Sequence, residues 1–157
     1  MNIKSYFKGK TILVAGGSGF VGKNFVETLL NLDCKVISTL HKRKLSLKHR
    51  NLTLTKCDLQ NLDDCIRVTK NVDIVISYMP SSNIYTTLSR LFLKKVYHLS
   101  CEVSTLNIAE GRYKRLISNI SNLFSDHVIC NSITQAKYIV KFPGMKKKVS
   151  TIWNGCE

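Results

Sequence analysis

Residues 10–14 form a short apolar, β-branched run that stops at Gly16-Gly17-Ser18-Gly19, and an amphipathic stretch follows over 20–32. The pattern predicts strand, tight turn and helix. Residues 35–40 give a second strand, a cationic segment runs from His41 to Arg50, and 52–56 alternate as a third strand. Asn61 with Asp64 three residues later predicts a helix start running to about Thr69. An Asn side chain can cap, and an early carboxylate suits the positive end of the helix dipole. Further strands are expected at 72–77, 95–100, 127–131 and 148–152, separated by helices at 82–93, 109–124 and 133–142. In the 109–124 helix, Tyr113, Leu116, Ile117, Ile120, Leu123 and Phe124 share one stripe. Strands alternating with helices predict an α/β, Rossmann-like fold: a mostly parallel sheet with helices on both faces. No repeat, low-complexity tract or Pro-rich linker divides the chain, so 1–157 reads as a single domain.

Composition narrows this further. With 157 residues, 44% hydrophobic and 22% charged, the chain suits one core. No apolar run approaches the roughly 20 residues needed to span a bilayer, and the N-terminus lacks the apolar core of a signal peptide. A net charge of +14 favours anionic partners: nucleotides, nucleic acid, phospholipid head groups or sugar phosphates. Cys34, Cys57, Cys65, Cys101, Cys130 and Cys156 include no CxxC pair and no zinc-site spacing to a histidine, so they read as reduced thiols of a cytoplasmic protein. Only their even number speaks for a disulfide framework.

The candidate chemistry lies in the first turn. Gly16, Gly19 and Gly22 give G-x-x-G-x-x-G directly after a strand and opening a helix. Gly16 permits the turn, Gly19 lets backbone approach a pyrophosphate without a Cβ, Gly22 allows close packing, and the helix N-terminus offers N–H donors. Dinucleotide binding is the direct inference. The alternative is a glycine turn kept for geometry alone.

The run from Lys10 to Gly22, followed by Lys56-Cys57-Asp58-Leu59, resembles the start of an extended short-chain dehydrogenase/reductase, the family that includes nucleotide-sugar epimerases and dehydratases. The resemblance covers about 8–75, a dinucleotide-binding half. It implies that Gly16, Gly19, Phe20 and Val21 line the pyrophosphate site and that Asp58 and Leu59 contact the adenine; Asp58 could equally begin the turn before the Asn61 helix. Cofactor choice falls to the end of the second strand, where an acidic residue suits a ribose hydroxyl and a basic one a 2′-phosphate. Leu40 is followed by His41, Lys42, Arg43 and Lys44, which favours NADP over NAD, with Lys42 and Arg43 as phosphate partners. A solvated basic loop accounts for the same run.

The resemblance also implies a Tyr-x-x-x-Lys pair well after the fourth strand, and none is present. Tyr6 and Lys10 have the spacing but precede the first strand, Tyr138 and Lys141 are one residue too close, and Tyr78, Tyr85, Tyr97 and Tyr113 lack the lysine. From about 72 to 157 the sequence is similar to the N-terminal lobe of family 4 (GT-B fold) glycosyltransferases, carried by the segments Asp73 to Asn83, Phe124 to Ser132 and Val149 to Gly155. Departures there are Tyr78 where a histidine is expected and Cys101-Glu102 in place of a His-Glu pair. The expectation is a chimera joined near the fourth strand, lacking both a substrate domain and a donor-binding lobe.

Three functions follow as expectations. The leading one is an NAD(P)-binding domain of the nucleotide-sugar epimerase/dehydratase type, catalytically incomplete alone. The second is a glycosyltransferase lobe in surface-polysaccharide synthesis. The third is a peripheral module at an anionic membrane, with Arg112, Lys114 and Arg115 beside the apolar stripe and Lys146-Lys147-Lys148 adding to them; otherwise the stripe is core and those charges its wet face. Nucleic-acid binding is not expected, since no recognition motif accompanies the charge. His41, His49, His98 and His127 are scattered without metal or triad spacing, and catalytic residues are unassigned. Glu102 and Glu110 qualify as acid/base groups only if a cleft raises a pKa.

Overall fold

The computed structural model describes residues 3–40, 45–78, 80–90, 92, 96–102 and 112–153, with Phe20 and residues 112–115 described through the backbone alone. Seven parallel strands form one sheet: β1 (Thr11–Ala15), β2 (Lys35–Leu40), β3 (Leu52–Lys56), β4 (Ile74–Tyr78), β5 (Tyr97–Glu102), β6 (His127–Cys130) and β7 (Val149–Thr151). Their order is β3-β2-β1-β4-β5-β6-β7, the doubly wound arrangement whose strand order reverses beside β1. A short helix, α1 (Ile3–Phe7), precedes β1 where the sequence reads as a basic leader.

β1 lies between β2 and β4, with Ile12 opposite Val36 on one side and Ile74 on the other. Ile12, Leu13 and Val14 are therefore almost wholly buried on both faces. On one face Ile12, Val14, Val36, Ile74 and Ile76 pack under Val26 and Leu29 of α2 (Phe20–Leu30). On the other, Leu13 and Val75 pack with Val68 of α3 (Leu62–Thr69). Farther along, α6 (Ile133–Ile139) seats Ala136 and Ile139 against Val128 and Cys130. Helices thus cover both faces, as the alternation predicts.

Element ends follow local chemistry. The Asn61 side chain accepts from the backbone N–H of Asp64 at 3.1 Å, the expected cap. Asn61→Ala should cost about 1 kcal/mol, read as a lower urea midpoint with unchanged m-value. α2 stops two residues short of expectation because Asp33 takes a left-handed turn (φ 54°) into β2. α4 (Pro80–Arg90) starts at Pro80 and not at 82, since proline fits a first turn whose N–H needs no partner. α6 ends early, before Pro143 and a left-handed Gly144.

Two aspartates hold the starts of neighbouring strands. Asp73 Oδ2 accepts from Thr11 N–H at 2.7 Å, and Asp126 Oδ2 accepts from His98 N–H at 2.7 Å while also pairing with Arg90 at 2.7 Å. Both carboxylates lie at the N-terminal ends of the strands.

The α4/α5 side departs from expectation. In α5 (Arg112–Phe124) the buried residues are Ser118, Ser121 and Asn122, whereas Leu116, Ile117, Ile120, Leu123 and Phe124 face outward, Leu116 53% and Phe124 60% exposed. The stripe is not core. The reason is the sheet beneath it: Ser77, His98, Ser100 and Glu102 are buried on this face and require hydrogen-bonding partners. Asn122 and Ser118 donate to Glu102 Oε1 at 3.0 and 3.3 Å, and Ser100 Oγ donates to Asn122 Oδ1 at 3.0 Å. The side chain of Tyr113 lies outside the described residues.

Candidate functional site

The glycine turn joins β1 to α2 at the C-terminal edge of the sheet, beside the point where strand order reverses. Gly16 adopts φ 84°, and its N–H donates to Thr39 Oγ1 of β2 at 2.8 Å. Gly19 N–H closes the turn onto the Gly16 carbonyl at 3.0 Å. A Cβ on Gly22 would collide with the Gly16 carbonyl oxygen and come within 2.8 Å of Gly17 Cα, so α2 can start this close to the turn only with glycine there. The packing is helix against turn rather than helix against sheet.

Gly19 is the N-cap, in extended conformation, with no side-chain cap bond, and the first turn of α2 contains no acidic residue. The first N–H groups of a helix lack intrahelical partners. Here no cap side chain occupies them, which is the chemistry an anion requires. Val21 in that turn is exposed, and the side chain of Phe20 lies outside the described residues. Sequence reasoning missed the support from β2. A Cβ on Gly17 would strike Ser38 Oγ, and that hydroxyl, fully buried, has no hydrogen-bond partner. Adjacent Ser38 and Thr39, among Val36, Ile37 and Leu40 of β2, were the available signal.

Asp58 and Leu59 follow β3, at the same sheet edge and two strands from the turn, roughly 10 Å at ordinary strand spacing. Asp58 Oδ1 accepts from Gln60 N–H at 2.9 Å, and its own N–H donates to Asp64 Oδ2 at 2.9 Å. One carboxylate oxygen thus serves the turn into α3. Asp64 is held below the usual carboxylate range chiefly by its hydrogen bond from Arg67. Leu59 is half-buried beside Val68 and Val72. His41, Lys42, Arg43 and Lys44 lie outside the described residues, as do Glu110 and Asn154-Gly155.

A second feature lies between α5 and α6: a cavity of about 400 Å³ lined by Glu102, Ser118, Asn119, Asn122, Gln135 and Tyr138, with Lys137 and Lys141 among its other lining residues. Glu102, 1% exposed, accepts from Asn83, Asn122 and Ser118 on Oε1 and from Gln135 on Oε2. Burial raises its carboxyl above the usual range, and the donors only partly offset that. Nearby, burial pushes the Cys101 thiol up to about 12 and raises the Tyr78 hydroxyl. Among the described residues no group of three His, Cys, Asp or Glu is placed to hold a metal ion, and no helix is long and apolar enough to cross a membrane. The five described cysteines are buried free thiols.

The model of the NAD dependent epimerase/dehydratase family matches residues 12–91, just over half the chain. The uncharacterized membrane protein MJ1061 of Methanocaldococcus jannaschii is 36% identical over 81 residues, covering 47% of this chain and 24% of that protein. Among solved structures, epimerase Mth375 of Methanothermobacter thermautotrophicus superposes with a TM-score of 0.62 at 16% identity, covering 83% of this chain and 53% of its own. WbmG of Bordetella bronchiseptica, in complex with NAD and UDP, gives 0.60 at 13% identity, over 78% and 52%. These two are likenesses of fold. The chain spans about a quarter of the curated relative and about half of these structures.

Proposed function

Because the chain belongs to the NAD dependent epimerase/dehydratase family, we propose that it binds a nicotinamide dinucleotide on the Gly16–Gly22 turn. The carrying observation is the start of α2, glycine-lined and with no capping side chain on its donors. Backbone N–H groups of Phe20 and Val21 receive the pyrophosphate, Gly19, whose own N–H closes the turn onto Gly16, lets it approach without a Cβ in the way, Gly16 shapes the turn and Gly22 brings the helix against it. Asp58 and Leu59 would border the adenine, Asp58 keeping one carboxylate oxygen beyond its bond from Gln60 as an acceptor. Lys42 and Arg43 select a 2′-phosphate, so NADP binds more tightly than NAD. The cofactor, when bound, supplies hydride acceptance and donation. The absence of a Tyr-x-x-x-Lys pair after β1 supports binding without turnover by this chain alone.

A nucleotide-sugar context is supported by the UDP in the WbmG complex and by the basic balance of the chain. The sugar-transfer reading gains less. Two of its motifs contain Asp73 and Asp126, whose carboxylates are engaged at the opposite end of the sheet.

The test is a thermal-shift titration with NADH and NADPH on the wild type and on Gly19→Asp. Ligand at about 100 times its dissociation constant stabilises by about 2.7 kcal/mol, roughly 5–10 °C here. Gly19 has extended backbone torsions, so aspartate there is a competent N-cap whose gain offsets the 3.3 Å contact of its Cβ with the Gly16 carbonyl oxygen, and the melting temperature of the free protein should change little. Its carboxylate meets the pyrophosphate, so the ligand-induced shift should vanish. A full shift in Gly19→Asp would place the dinucleotide elsewhere, and no shift in the wild type would make the turn structural.

A further inference from the structure

We propose that Cys57 and Cys65 are a paired redox modification site, closed to a disulfide by a hydroperoxide, and that closure weakens dinucleotide binding at Asp58 and Leu59; the second half rests on the reading given above. Cys57 extends β3 by one residue, its N–H donating to the Leu40 carbonyl at 3.0 Å, and its side chain joins Leu13, Val68 and Val75 in the core. Cys65 lies one turn before Val68 on the buried side of α3. Between them the chain reverses, with the Asn61 N–H on the Asp58 carbonyl at 3.0 Å and the Cys65 N–H on the Asn61 carbonyl at 3.1 Å. The reversal brings the two thiols into side-chain contact. Cys57 donates a hydrogen bond to the sulfur of Cys65, and Cys65 donates to the Leu59 carbonyl at 3.7 Å. No other pair among the described cysteines is placed in this way. Cys34 donates to the Leu29 carbonyl at 3.1 Å, and Cys101 and Cys130 belong to cores on opposite faces of the sheet.

The shared hydrogen bond sets the roles. It holds Cys65 below the ordinary thiol value and raises Cys57, so Cys65 is the nucleophile and Cys57 the resolving thiol. The Cys65 sulfur attacks one oxygen of hydrogen peroxide and the O–O bond breaks. A sulfenic acid forms, and the other oxygen leaves as water with the Cys65 proton. The Cys57 sulfur then attacks the sulfenic sulfur, and the hydroxyl leaves as a second water with the Cys57 proton. The dithiol is oxidised by two electrons and the peroxide is reduced to water. Both sulfurs are buried, Cys57 1% and Cys65 3% exposed, under a turn whose Asp58, Gln60 and Asn61 are exposed. A small oxidant reaches them when that turn opens locally. Asp58 and Leu59 sit inside the ring that the disulfide closes, and Cys65, having lost its proton, gives up its bond to the Leu59 carbonyl.

The test is a hydrogen peroxide titration of the folded full chain, followed by alkylation in denaturant and tryptic digestion. Cleavage after Lys56 and Arg67 releases both cysteines on one peptide, 57–67. That peptide should emerge two hydrogens lighter and unalkylated, and regain two alkylatable thiols after dithiothreitol, while the peptides of Cys34, Cys101 and Cys130 stay alkylated throughout. Cys57→Ser should stop at a Cys65 sulfenic acid that dimedone captures. In equilibrium dialysis the oxidised wild type should bind NADH and NADPH at least roughly fivefold more weakly than the reduced chain. A 57–67 peptide that keeps both thiols alkylatable, or that oxidises only once urea has unfolded the chain, overturns the site. Unchanged affinity in the oxidised chain overturns its link to the dinucleotide. If the reduced chain binds neither dinucleotide, the Gly16–Gly22 reading and that link fall together, and the mass of the peptide still decides the disulfide.

Discussion

Acidification to about pH 4 is expected to cost this fold about 3 kcal/mol through one imidazole, rising to about 4 kcal/mol near pH 3. His98 is fully buried, its Nε2 2.8 Å from Ser77 Oγ and its Nδ1 3.2 Å from Ser125 Oγ. Burial, with a smaller contribution from Arg90, pushes its pKa down to about 3. The folded protein therefore holds a neutral ring where the unfolded chain takes up a proton near pH 6.5. Stability is complete above that value and falls with pH until the folded group itself titrates near 3. Glu102 acts in the opposite sense: its raised pKa favours the protonated folded state, so its ionisation costs stability as pH rises through the folded value. Asp64, held low by Arg67, adds acid loss only at and below the ordinary carboxylate range. Urea unfolding at a series of pH values should show His98→Gln with about one proton less taken up on unfolding between pH 6 and 4. A His98→Gln chain whose stability changes between pH 7 and 4 in the same way as the wild type's would contradict the assignment, since the opposing Glu102 contribution is common to both.

Gly22→Ala should lose roughly 3 kcal/mol, the upper end for forcing an extra carbon into packed structure. The atoms in its way are the carbonyl of Gly16 and Cα of Gly17. Both are backbone, so no rotamer change relieves the contact. Gly16→Ala should cost less, about 1–2 kcal/mol, because its penalty is the left-handed φ of 84° with open space around the new methyl. Gly19→Asp should cost least, since a Cβ there meets only the Gly16 carbonyl oxygen at 3.3 Å and the new carboxylate caps α2. Urea midpoints in that order would separate close packing, turn geometry and ligand contact within one seven-residue turn. A Gly22→Ala chain as stable as the wild type would mean that α2 does not start against the turn.

The strands and the glycine turn were legible because each rests on a local signal. A β-branched run such as Thr11–Ala15 followed by glycine leaves few alternatives, and the Asn61 cap is decided within three residues. Helix α5 shows where local reasoning stops. Its apolar stripe has helical period, but period does not say which side faces the sheet. That choice is made by Ser77, His98, Ser100 and Glu102, three of them at alternate positions on β5, which turn polar groups toward the helix. The His98-x-Ser100-x-Glu102 alternation was present in the chain, yet its meaning required knowing which helix crosses it. The recurring Asp73 and Asp126 were likewise visible as motif residues, while their work on neighbouring strands depends on pairings 62 and 28 residues apart.

The pairing of β1 with β4, Ile12 opposite Ile74, also bears on how the chain is made. As it leaves the ribosome, β1 has β2 available after a short delay, but its other edge waits for about sixty further residues, a few seconds at ordinary rates of synthesis. During that interval the most apolar strand of the protein offers an open edge in a nascent chain. Conditions that slow elongation between β2 and β4 should lower the soluble yield even where the finished fold is unaffected.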